Sequence, residues 1–573
     1  MNSRQRFRAR FVLIAIGIAA AVIIASLYST EIIRGGAYRA KAQAQYARPA
    51  AALFARGTIY FSDSDGTETA AATVANGYLV YMNPKQAADA NGDYDALSHF
   101  LPSLDRSSFL SKAAKPNDPY EALADHVDIA SAAGIQGLGL AGISAVPETW
   151  RSYPGGSLAS HELGLVGEDA SSSDVFGRYG LERSYDSTLS RPGTGPSVNV
   201  FAELFSGLKD SVFGSSAAQS GDIVTTIEPS VEAYLENVLA STSASWHPDE
   251  IGGVVMDPST GEIVAMSSLP SFDPNDTSSV KSASVFSDPL VEHVYEMGSI
   301  MKPLTMAAAL DSGAEAPDST YDDTGCMTLN GKKICNFDGR ARGVIPMQQI
   351  LSQSLNVGAA TIALKTGSTT FERYFDSFGI PARTGVDLPN EATPLASNLK
   401  GGTDIDIATA AYGQGIAVSP VGMARALSVI ANGGYVVTPH LVKEIDHADG
   451  SVKKIDTPKT GPVLKPQTVQ EVKDMLVKVV DISLANGTIK KDHYTMAAKT
   501  GTAEIADHVN GGYYSDRYLH SFFGFFPAYQ PRFIVFLYQV YPKGAEYASE
   551  TLTKPYDDLA TFLINYYNIP PDR

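Results

Sequence analysis

The chain has 573 residues, of which 44% are hydrophobic and 18% are charged, proportions typical of roughly two to four folded domains rather than of a disordered chain. Its formal net charge of −18 argues against general nucleic-acid binding, because phosphate contacts need a basic surface. Its ten histidines show no spacing with cysteines or acidic residues that would indicate a metal site, so we expect neither a metal nor another cofactor.

The N-terminal segment is predicted to anchor the chain in a membrane. Arginines within residues 1–10 precede an uncharged apolar run at 11–28, which as a helix would be about 27 Å long, close to the hydrocarbon thickness of a bilayer. A cleaved signal peptide is the alternative, but its apolar stretch is shorter and ends at a small-residue cleavage site that is not evident here. By the positive-inside rule, residues 1–10 should stay in the cytoplasm, residues 11–30 should cross once, and the remainder should lie outside the cytoplasm.

Residues 31–215 are predicted to form an extended module of mixed structure. An alanine-, glutamine- and arginine-rich stretch at 31–55 favours a helix that leads away from the membrane. Strand patterns at 57–61 and 78–81 and a helix pattern at 119–127 alternate with loops rich in glycine, serine and proline. This part of the sequence contains no visible catalytic cluster.

A second domain is predicted over residues 216–573, after a polar linker at 215–220. The predicted strands lie at 222–227, 253–256, 262–266, 495–502 and 533–541, and the predicted helices at 229–239, 300–310, 347–364, 420–431 and 556–566. Two groups of strands on either side of a helical middle indicate an α+β fold.

The only cysteines, Cys326 and Cys335, flank an Asn330-Gly331 pair. Asn-Gly is the strongest short-range signal for a two-residue β-hairpin, and counting outward from this turn places the cysteines opposite each other at a non-hydrogen-bonded position. Cα atoms at such a position approach to about 4.5 Å, which a disulfide allows. We therefore predict a cross-strand disulfide, which is typical of an oxidising compartment; the alternative is two reduced cysteines on one face.

The segment Met-Gly-Ser-Ile-Met-Lys-Pro at 297–303 contains the first candidate catalytic residues. Ser299 and Lys302 are three positions apart, so a helix would place both side chains on one face. The neighbouring residues are apolar, and burial should lower the pKa of Lys302 and let its free amine act as a base toward the serine hydroxyl. A Ser-x-x-Lys pair alone is weak evidence, because it also arises by chance.

Two further motifs follow, Ser-Leu-Asn at 354–356 and Lys-Thr-Gly-Thr at 499–502. Each alone is compatible with an exposed helix or strand. Together with Ser-x-x-Lys, however, they stand in the order found in penicillin-binding transpeptidases and serine β-lactamases. The chain therefore resembles these families.

Other segments extend the resemblance to class B penicillin-binding proteins, and above all to the septal or elongation D,D-transpeptidases of peptidoglycan synthesis. They lie at 56–60, 164–167, 180–186, 257–263, 270–275, 412–415 and 521–525. The sequence departs from the family pattern at 61–66, where Phe-Ser-Asp-Ser-Asp-Gly stands in place of Asp-Arg-Asn-Gly. The resemblance implies a penicillin-binding or serine β-lactamase-like transpeptidase domain at 216–573, preceded by a pedestal, or dimerisation-like, domain at 31–215.

The resemblance also implies a mechanism. Ser299 would attack the carbonyl between the two terminal D-alanines of a stem peptide while Lys302 takes its proton, and an amine of a neighbouring stem peptide would then resolve the acyl-enzyme. A β-lactam would mimic the donor and trap Ser299. The backbone N–H groups of Ser299 and Thr502 would form the oxyanion hole. The further implied catalytic residues are Ser354, Asn356 and Lys499, and the implied substrate-binding residues are Thr500, Gly501 and Thr502.

Other functions stay open at this point. A D,D-carboxypeptidase or a membrane-bound β-lactamase-like hydrolase would use the same motifs, although the predicted anchor and pedestal favour a transpeptidase. A β-lactam sensor would need a cytoplasmic output domain, for which residues 1–10 leave no room, and a pure scaffold would tolerate loss of Ser299. The implied partners are peptidoglycan stem peptides, β-lactams and a polytopic membrane glycan polymerase of the shape–elongation–division–sporulation family, toward which Gly17, Ala20 and Ala21 offer a small-residue face.

Overall fold

The computed structural model of this chain describes residues 56–87, 89–115, 118–168, 175–191, 220–507 and 509–573. The predicted anchor at 11–30, the helix predicted at 31–55 and nearly all of the linker at 215–220 lie outside the described residues. In the part of the chain that is described, no helix is both long and apolar enough to cross a bilayer.

The secondary-structure elements are numbered here in chain order. The strands are β1 (Ile59–Ser62), β2 (Glu68–Met82), β3 (Glu121–Val127), β4 (Ile143–Ser152), β5 (Val166–Glu168), β6 (Val175–Gly177), β7 (Gly221–Thr225), β8 (Glu250–Met256), β9 (Ile263–Leu269), β10 (Thr320–Asp323), β11 (Cys326–Leu329), β12 (Lys332–Cys335), β13 (Gly343–Pro346), β14 (Val442–His447), β15 (Val452–Lys454), β16 (Ala497–Ala506), β17 (Tyr513–Phe526) and β18 (Phe533–Val540). The α-helices are α1 (Ala90–Leu97), α2 (Arg106–Ala113), α3 (Ile129–Gly137), α4 (Ser160–Leu163), α5 (Gly180–Ser184), α6 (Asp186–Leu189), α7 (Pro229–Trp246), α8 (Pro289–Glu292), α9 (Lys302–Asp311), α10 (Gln348–Ser352), α11 (Asn356–Thr366), α12 (Ser368–Ser377), α13 (Asp404–Ala410), α14 (Pro420–Ala431), α15 (Pro466–Lys478), α16 (Ala548–Thr551) and α17 (Thr553–Tyr566).

The first of two compact units includes Val74–Trp150. The later part of β2 pairs with β3 in antiparallel register, with Tyr78 opposite Val127. The helix predicted at 119–127 is therefore wrong, because the segment is a strand. Its ladder partners lie more than 35 residues away along the chain, and local residue spacing carries no information about such pairing.

Of the described residues, the second unit includes 56–73, 151–168, 175–191 and all those from 220 onward. Its main sheet is antiparallel, in the order β16-β17-β18-β8-β9. Phe522 and Phe526 of β17 contact Tyr556 of α17, whereas Phe525 lies beside Lys473 of α15. Since alternate residues of a strand point to opposite faces, helices cover both faces of this sheet. The mixed helix and sheet architecture predicted from the sequence is confirmed.

Buried ion pairs join two segments that the sequence comparison with the family had singled out. Arg56 Nε lies 2.5 Å from Glu182 Oε2, and Arg151 Nε lies 2.6 Å from the other oxygen of that carboxylate. Arg56 also pairs with Asp186 at 2.8 Å. Two guanidinium groups thus hold one fully buried carboxylate, which compensates for its removal from water.

The single helix predicted at 347–364 is wrong, because it is divided into α10 and α11. Ser354, between them, has a φ of 56°, a left-handed conformation that interrupts an α-helix. Its carbonyl oxygen accepts a hydrogen bond from Lys302 Nζ instead of from a following helical N–H. A contact with a distant side chain therefore stabilises a break that the apolar spacing of the segment does not reveal.

Candidate active site

Ser299 lies on a tight 3-10 turn, Gly298–Met301, that leads directly into α9. Lys302 is the first residue of α9 and is fully buried, and Pro303 follows in the first turn, where a missing N–H leaves no bond unmade. Lys302 Nζ donates to Ser299 Oγ at 2.9 Å. The predicted helix at 300–310 therefore begins slightly later than expected but places the amine beside the hydroxyl.

The amine of Lys302 is surrounded by more oxygen atoms than it has hydrogens. Besides Ser299 Oγ, Ser354 O at 2.5 Å, Ser354 Oγ at 3.2 Å and Asn356 Oδ1 at 2.8 Å lie within hydrogen-bond distance. An ammonium group has three hydrogens for these four oxygens and cannot accept, whereas a neutral amine has two hydrogens to donate and a lone pair that accepts from a hydroxyl. The arrangement suits an amine that exchanges a proton with a serine.

Burial lowers the pKa of Lys302 well below its usual value, and the nearby charge of Lys499 lowers it further. Burial also lowers the pKa of Lys499 to about 7. The hydrogen-bond acceptors around both amines are uncharged, so they do little to restore the charged form. At neutral pH, the site is thus prepared to hold a free amine on Lys302.

The hydroxyl of Ser354 connects the two lysines. Lys499 Nζ donates to Ser354 Oγ at 3.0 Å and to Thr500 O at 2.7 Å, while Lys302 lies on the other side of the same hydroxyl. The break between α10 and α11 points this side chain at both amines. A continuous chain of hydrogen bonds therefore runs from Ser299 through Lys302 and Ser354 to Lys499.

Asn356 begins α11 and connects this chain to the disulfide hairpin. Its Oδ1 accepts from Lys302, and its Nδ2 donates to the carbonyl oxygen of Cys335 at 3.0 Å. The next residue along the hairpin, Asn336, accepts from the Val357 amide at 3.1 Å and donates to Asp323. The carboxamide is therefore held at both ends, by the amine of Lys302, which a motif had indicated, and by the backbone carbonyl of Cys335, which no motif had indicated.

In the hairpin itself, β11 and β12 pair with Cys326 opposite Cys335, and a disulfide joins the two with a Cα–Cα distance of 4.1 Å. Asn330 and Gly331 form the turn, both with positive φ, which matches the type I′ geometry that their sequence favours.

The Lys-Thr-Gly-Thr segment lies on β16, at one edge of the main sheet and against the turn that carries Ser299. A Cβ atom at Gly501 would lie 2.6 Å from Met297 O and 3.1 Å from Ile300 N, so only glycine permits this approach. Ser521 of β17 donates to Met297 O at 2.7 Å and holds the turn from the other side. Gly501 thus acts through its missing side chain and does not itself line the cleft.

A cleft of about 650 Å³ opens above these groups. Its lining includes Ser299, Lys333, Cys335, Phe337, Ser354, Asn356, Tyr412, Gln414, Thr500, Thr502, Glu504, Tyr518, Glu546 and Tyr547. Sequence reasoning assigned no role to the aromatic and acidic members of this set. Within the described ranges, no group of three or more histidine, cysteine or acidic side chains could hold a metal ion.

Comparisons with known proteins show which family of proteins this chain is similar to. A family model described as the penicillin binding protein transpeptidase domain matches residues 251–557, and one described as the penicillin-binding protein dimerisation domain matches residues 53–195. Stage V sporulation protein D of Bacillus subtilis is 32% identical over 74% of this chain and 64% of its own length. Peptidoglycan D,D-transpeptidase FtsI of Escherichia coli K12 is 26% identical over 86% of this chain and 81% of its own length. The chain thus spans just under two thirds of the first relative and more of the second.

Solved structures have the same fold. Penicillin Binding Protein 2X from Streptococcus thermophilus superposes with a TM-score of 0.72 at 20% identity, over 90% of this chain and 80% of the other. The apo form of Penicillin binding protein 3 from Mycobacterium tuberculosis superposes with a TM-score of 0.65 at 26% identity, over 74% of this chain and 92% of the other.

Proposed function

Because this chain belongs to the penicillin-binding protein transpeptidase family, we propose that it is a peptidoglycan D,D-transpeptidase, acting in cell division or elongation and inhibited by β-lactams. The observation that carries this proposal is the contact at 2.9 Å between Ser299 Oγ and the buried amine of Lys302, inside a cleft that a peptide can enter. A serine hydroxyl is a weak nucleophile until a neighbouring base takes its proton.

In the proposed acylation, the neutral amine of Lys302 accepts the proton of Ser299 as the serine oxygen attacks the carbonyl carbon between the two terminal D-alanines. The C–N bond then breaks, and the leaving D-alanine nitrogen needs a proton. Ser354 Oγ lies within hydrogen-bond distance of both Lys302 and Lys499, so it can pass the proton from the first lysine toward the leaving group. Ser299 is left as an ester with the shortened stem peptide.

The charge that develops on the carbonyl oxygen is proposed to bind to the backbone N–H groups of Ser299 and Thr502. Gly501 allows β16 to approach the turn of Ser299 closely, which brings the two segments together. Thr500 and Thr502 line the cleft on the same side and are proposed to bind the terminal carboxylate of the donor, with the ammonium of Lys499 beneath them. Donors held in place before the reaction stabilise such an oxyanion by several kcal/mol.

In the second half of the reaction, an amine of a neighbouring stem peptide attacks the ester carbonyl and Ser299 regains its proton. A hydrolase of the same fold would use water at this step. The transpeptidase is favoured because the chain matches a dimerisation domain as well as a transpeptidase domain, and because a curated relative is named for D,D-transpeptidation.

The arrangement in the cell is part of the proposal. Residues 1–10 are proposed to lie in the cytoplasm, residues 11–30 to form a single membrane anchor, residues 31–215 to form the pedestal and residues 216–573 to form the catalytic domain outside the cytoplasm. The disulfide supports this location, because such bonds persist in oxidising compartments. A polytopic glycan polymerase of the shape–elongation–division–sporulation family is proposed as the partner that supplies glycan strands.

Acylation by a fluorescent penicillin tests the proposal. The wild-type chain should become labelled, with the label mapped by peptide mass to Ser299, and Ser299→Ala should abolish labelling. Ser352→Ala, on α10 outside the cleft, should be labelled like the wild type. Incubation with a donor and an amine acceptor should then give a cross-linked dimer. Release of D-alanine without any dimer would contradict the transpeptidase and favour a carboxypeptidase.

A further inference from the structure

The cleft carries charges of opposite sign on different walls. Lys333 lines it from the hairpin and is exposed. Glu504 of β16 and Glu546, which follows β18, line it from the sheet side and are also exposed. Among the described residues, neither glutamate forms an ion pair with a lysine, arginine or histidine within 4.0 Å. Two unpaired carboxylates therefore lie beside the candidate nucleophile.

Glu504 continues the face of β16 that carries the two threonines. Alternate residues of a strand share a face, so Thr500, Thr502 and Glu504 all line the cleft, and Glu504 lies about 7 Å beyond Thr502 along the strand. Partial burial raises the pKa of the Glu504 carboxylate and makes it a better proton acceptor, although the side chain as a whole is exposed to the cleft. Along β16, the two threonines that are proposed to bind the donor carboxylate are thus followed directly by the carboxylate of Glu504.

Tyr518 lies on the same wall of the cleft as Glu504 and Glu546. It lies opposite Glu504 in the β16–β17 ladder. Tyr518, Glu504 and Glu546 all line the cleft, and the charges of Glu546 and Glu504 add to partial burial in raising the pKa of the Tyr518 phenol. Glu546 also hydrogen-bonds Tyr547, which contributes to raising the pKa of that phenol to about 12. The two carboxylates and these phenols form one acidic wall.

We propose that Glu504 and Glu546 bind the acceptor substrate, holding its ammonium group at this wall before its nitrogen attacks the acyl carbon on Ser299. The inference rests on the proposed function, since only an acyl-transferring enzyme needs a second, cationic substrate. The same carboxylates repel the donor's terminal carboxylate, which is then directed to Thr500, Thr502 and Lys499. The acidic wall therefore separates the two substrates by charge.

The proton and bond changes balance without a further reactant. The bound ammonium gives one proton to a carboxylate of the wall or to solvent, and the neutral nitrogen attacks the ester carbon. A C–N bond forms, the C–O bond to Ser299 breaks, and the second proton of the nitrogen passes to Ser299 Oγ. The product is an amide, and the serine hydroxyl is restored.

The test compares two acceptors in the same full-length chain at pH 8. A thioester analogue of the donor forms the acyl-enzyme, which is then resolved by Nα-acetyl-lysyl-D-alanine amide, a cation, or by hydroxylamine, which is uncharged. We expect Glu504→Gln/Glu546→Gln to slow the lysyl reaction about tenfold and the hydroxylamine reaction by less than twofold. The tenfold loss should shrink as salt is raised, because salt screens exposed charges.

The control variant Glu68→Gln/Asp318→Asn removes the same total charge from exposed positions outside the cleft lining and should match the wild type with both acceptors. Equal losses with both acceptors, or none with the lysyl peptide, would overturn the inference. Acylation by penicillin separates a failure of this inference from a failure of the proposed function. If the wild type is acylated but the Glu504→Gln/Glu546→Gln variant reacts with both acceptors as the wild type does, only the acidic wall is refuted. A wild-type chain that is never acylated refutes the proposed function itself.

Discussion

Two regions of the second unit bury ionisable side chains, and they differ in how those side chains are partnered. In the cleft, the amines of Lys302 and Lys499 contact oxygen atoms on several sides. The other region, the buried carboxylate cluster, consists of Glu162, Glu232 and Asp288, all almost fully buried. Among the described residues, neither oxygen of Glu162 has a partner in hydrogen-bond geometry.

The rest of the buried carboxylate cluster is only half satisfied. Glu232 Oε2 accepts from the Met266 amide at 2.8 Å, and Asp288 Oδ1 accepts from the Leu290 amide at 2.9 Å, but the second oxygen of each has no partner among the described residues. Burial raises the pKa of all three groups, that of Asp288 to about 7. The charges of Asp288 and Glu232 raise the pKa of Glu162 further. Burial therefore favours the protonated form of each of these carboxyl groups in the folded chain.

Burial thus favours the neutral form in both regions, but the consequence differs. A neutral lysine with a serine hydroxyl beside it is a base, so desolvation creates reactivity in the cleft. A neutral carboxyl group with no partner is not poised for chemistry, and it makes stability depend on pH. Burial alone does not identify a catalytic group; the neighbouring hydroxyls do.

The largest effect should follow from removing the base. Lys302→Met removes the amine proposed to take the proton of Ser299, and we expect the second-order rate constant for acylation by a β-lactam to fall about a thousandfold. Lys473→Met is the matched control: burial lowers the pKa of Lys473 to about 8, but its amine donates to Ala431 O, outside the cleft. Loss of less than tenfold in the first variant, or a comparable loss in the second, would show that a buried amine is not sufficient evidence of a base.

The second effect concerns pH. Lys302 must be neutral to accept a proton, so acylation should rise as pH increases from 5. Lys499 must be protonated to bind the donor carboxylate, and because its pKa is about 7, acylation should fall by up to about tenfold for each pH unit above that value. The measurement is the rate constant for β-lactam acylation between pH 5 and 9. A rate that keeps rising to pH 9 would be incompatible with a role for the Lys499 ammonium.

The smallest effect is on stability, in the buried carboxylate cluster. The folded pKa of Glu162 lies above its unfolded value near 4.5, so its stabilising contribution is complete below about pH 4.5 and is lost as pH rises through the folded pKa. Glu162→Gln cannot ionise and should flatten this decline. Each unit of pKa elevation corresponds to about 1.4 kcal/mol in the difference between pH 5 and pH 8.

Denaturant unfolding of wild type and Glu162→Gln at the two pH values measures this slope. Glu68→Gln, an exposed position, serves as the control and should keep the wild-type slope. The slope is more informative than stability at one pH, because a buried amide without partners lowers stability at every pH. Parallel pH profiles for all three chains would show that Glu162 does not hold its proton.

Local signals in the sequence were sufficient for some elements and not for others. The helix predicted at 420–431 is confirmed with the same limits, because Ser419 caps it, Pro420 begins it and Gly433 follows it. The break at Ser354 and the strand β3 depend instead on partners far away in the chain. Where the spacing of apolar residues is compatible with more than one secondary structure, a contact with a distant part of the chain determines which one forms.

The candidate site likewise contains some residues that sequence motifs predict and others that they do not. The order of three motifs was enough to select five side chains, which the structure brings into one network. The order of motifs could not reveal the carbonyl of Cys335, because backbone oxygens carry no sequence signature. It could not reveal Asn336 either, because the amide that this side chain accepts from lies 21 residues away along the chain. Glu232 is equally hidden: within a helical pattern it reads as a solvent-facing charge, although it is fully buried.

The left-handed backbone of Ser354 restricts which mutations can spread at that position. Threonine, the only other aliphatic hydroxyl, is β-branched and strained at a φ of 56°, whereas glycine and asparagine adopt it readily. The position therefore has no conservative exchange that keeps the hydroxyl. A variant at residue 354 that escaped β-lactams would have to give up the hydroxyl altogether, and with it the proton relay proposed for Ser354.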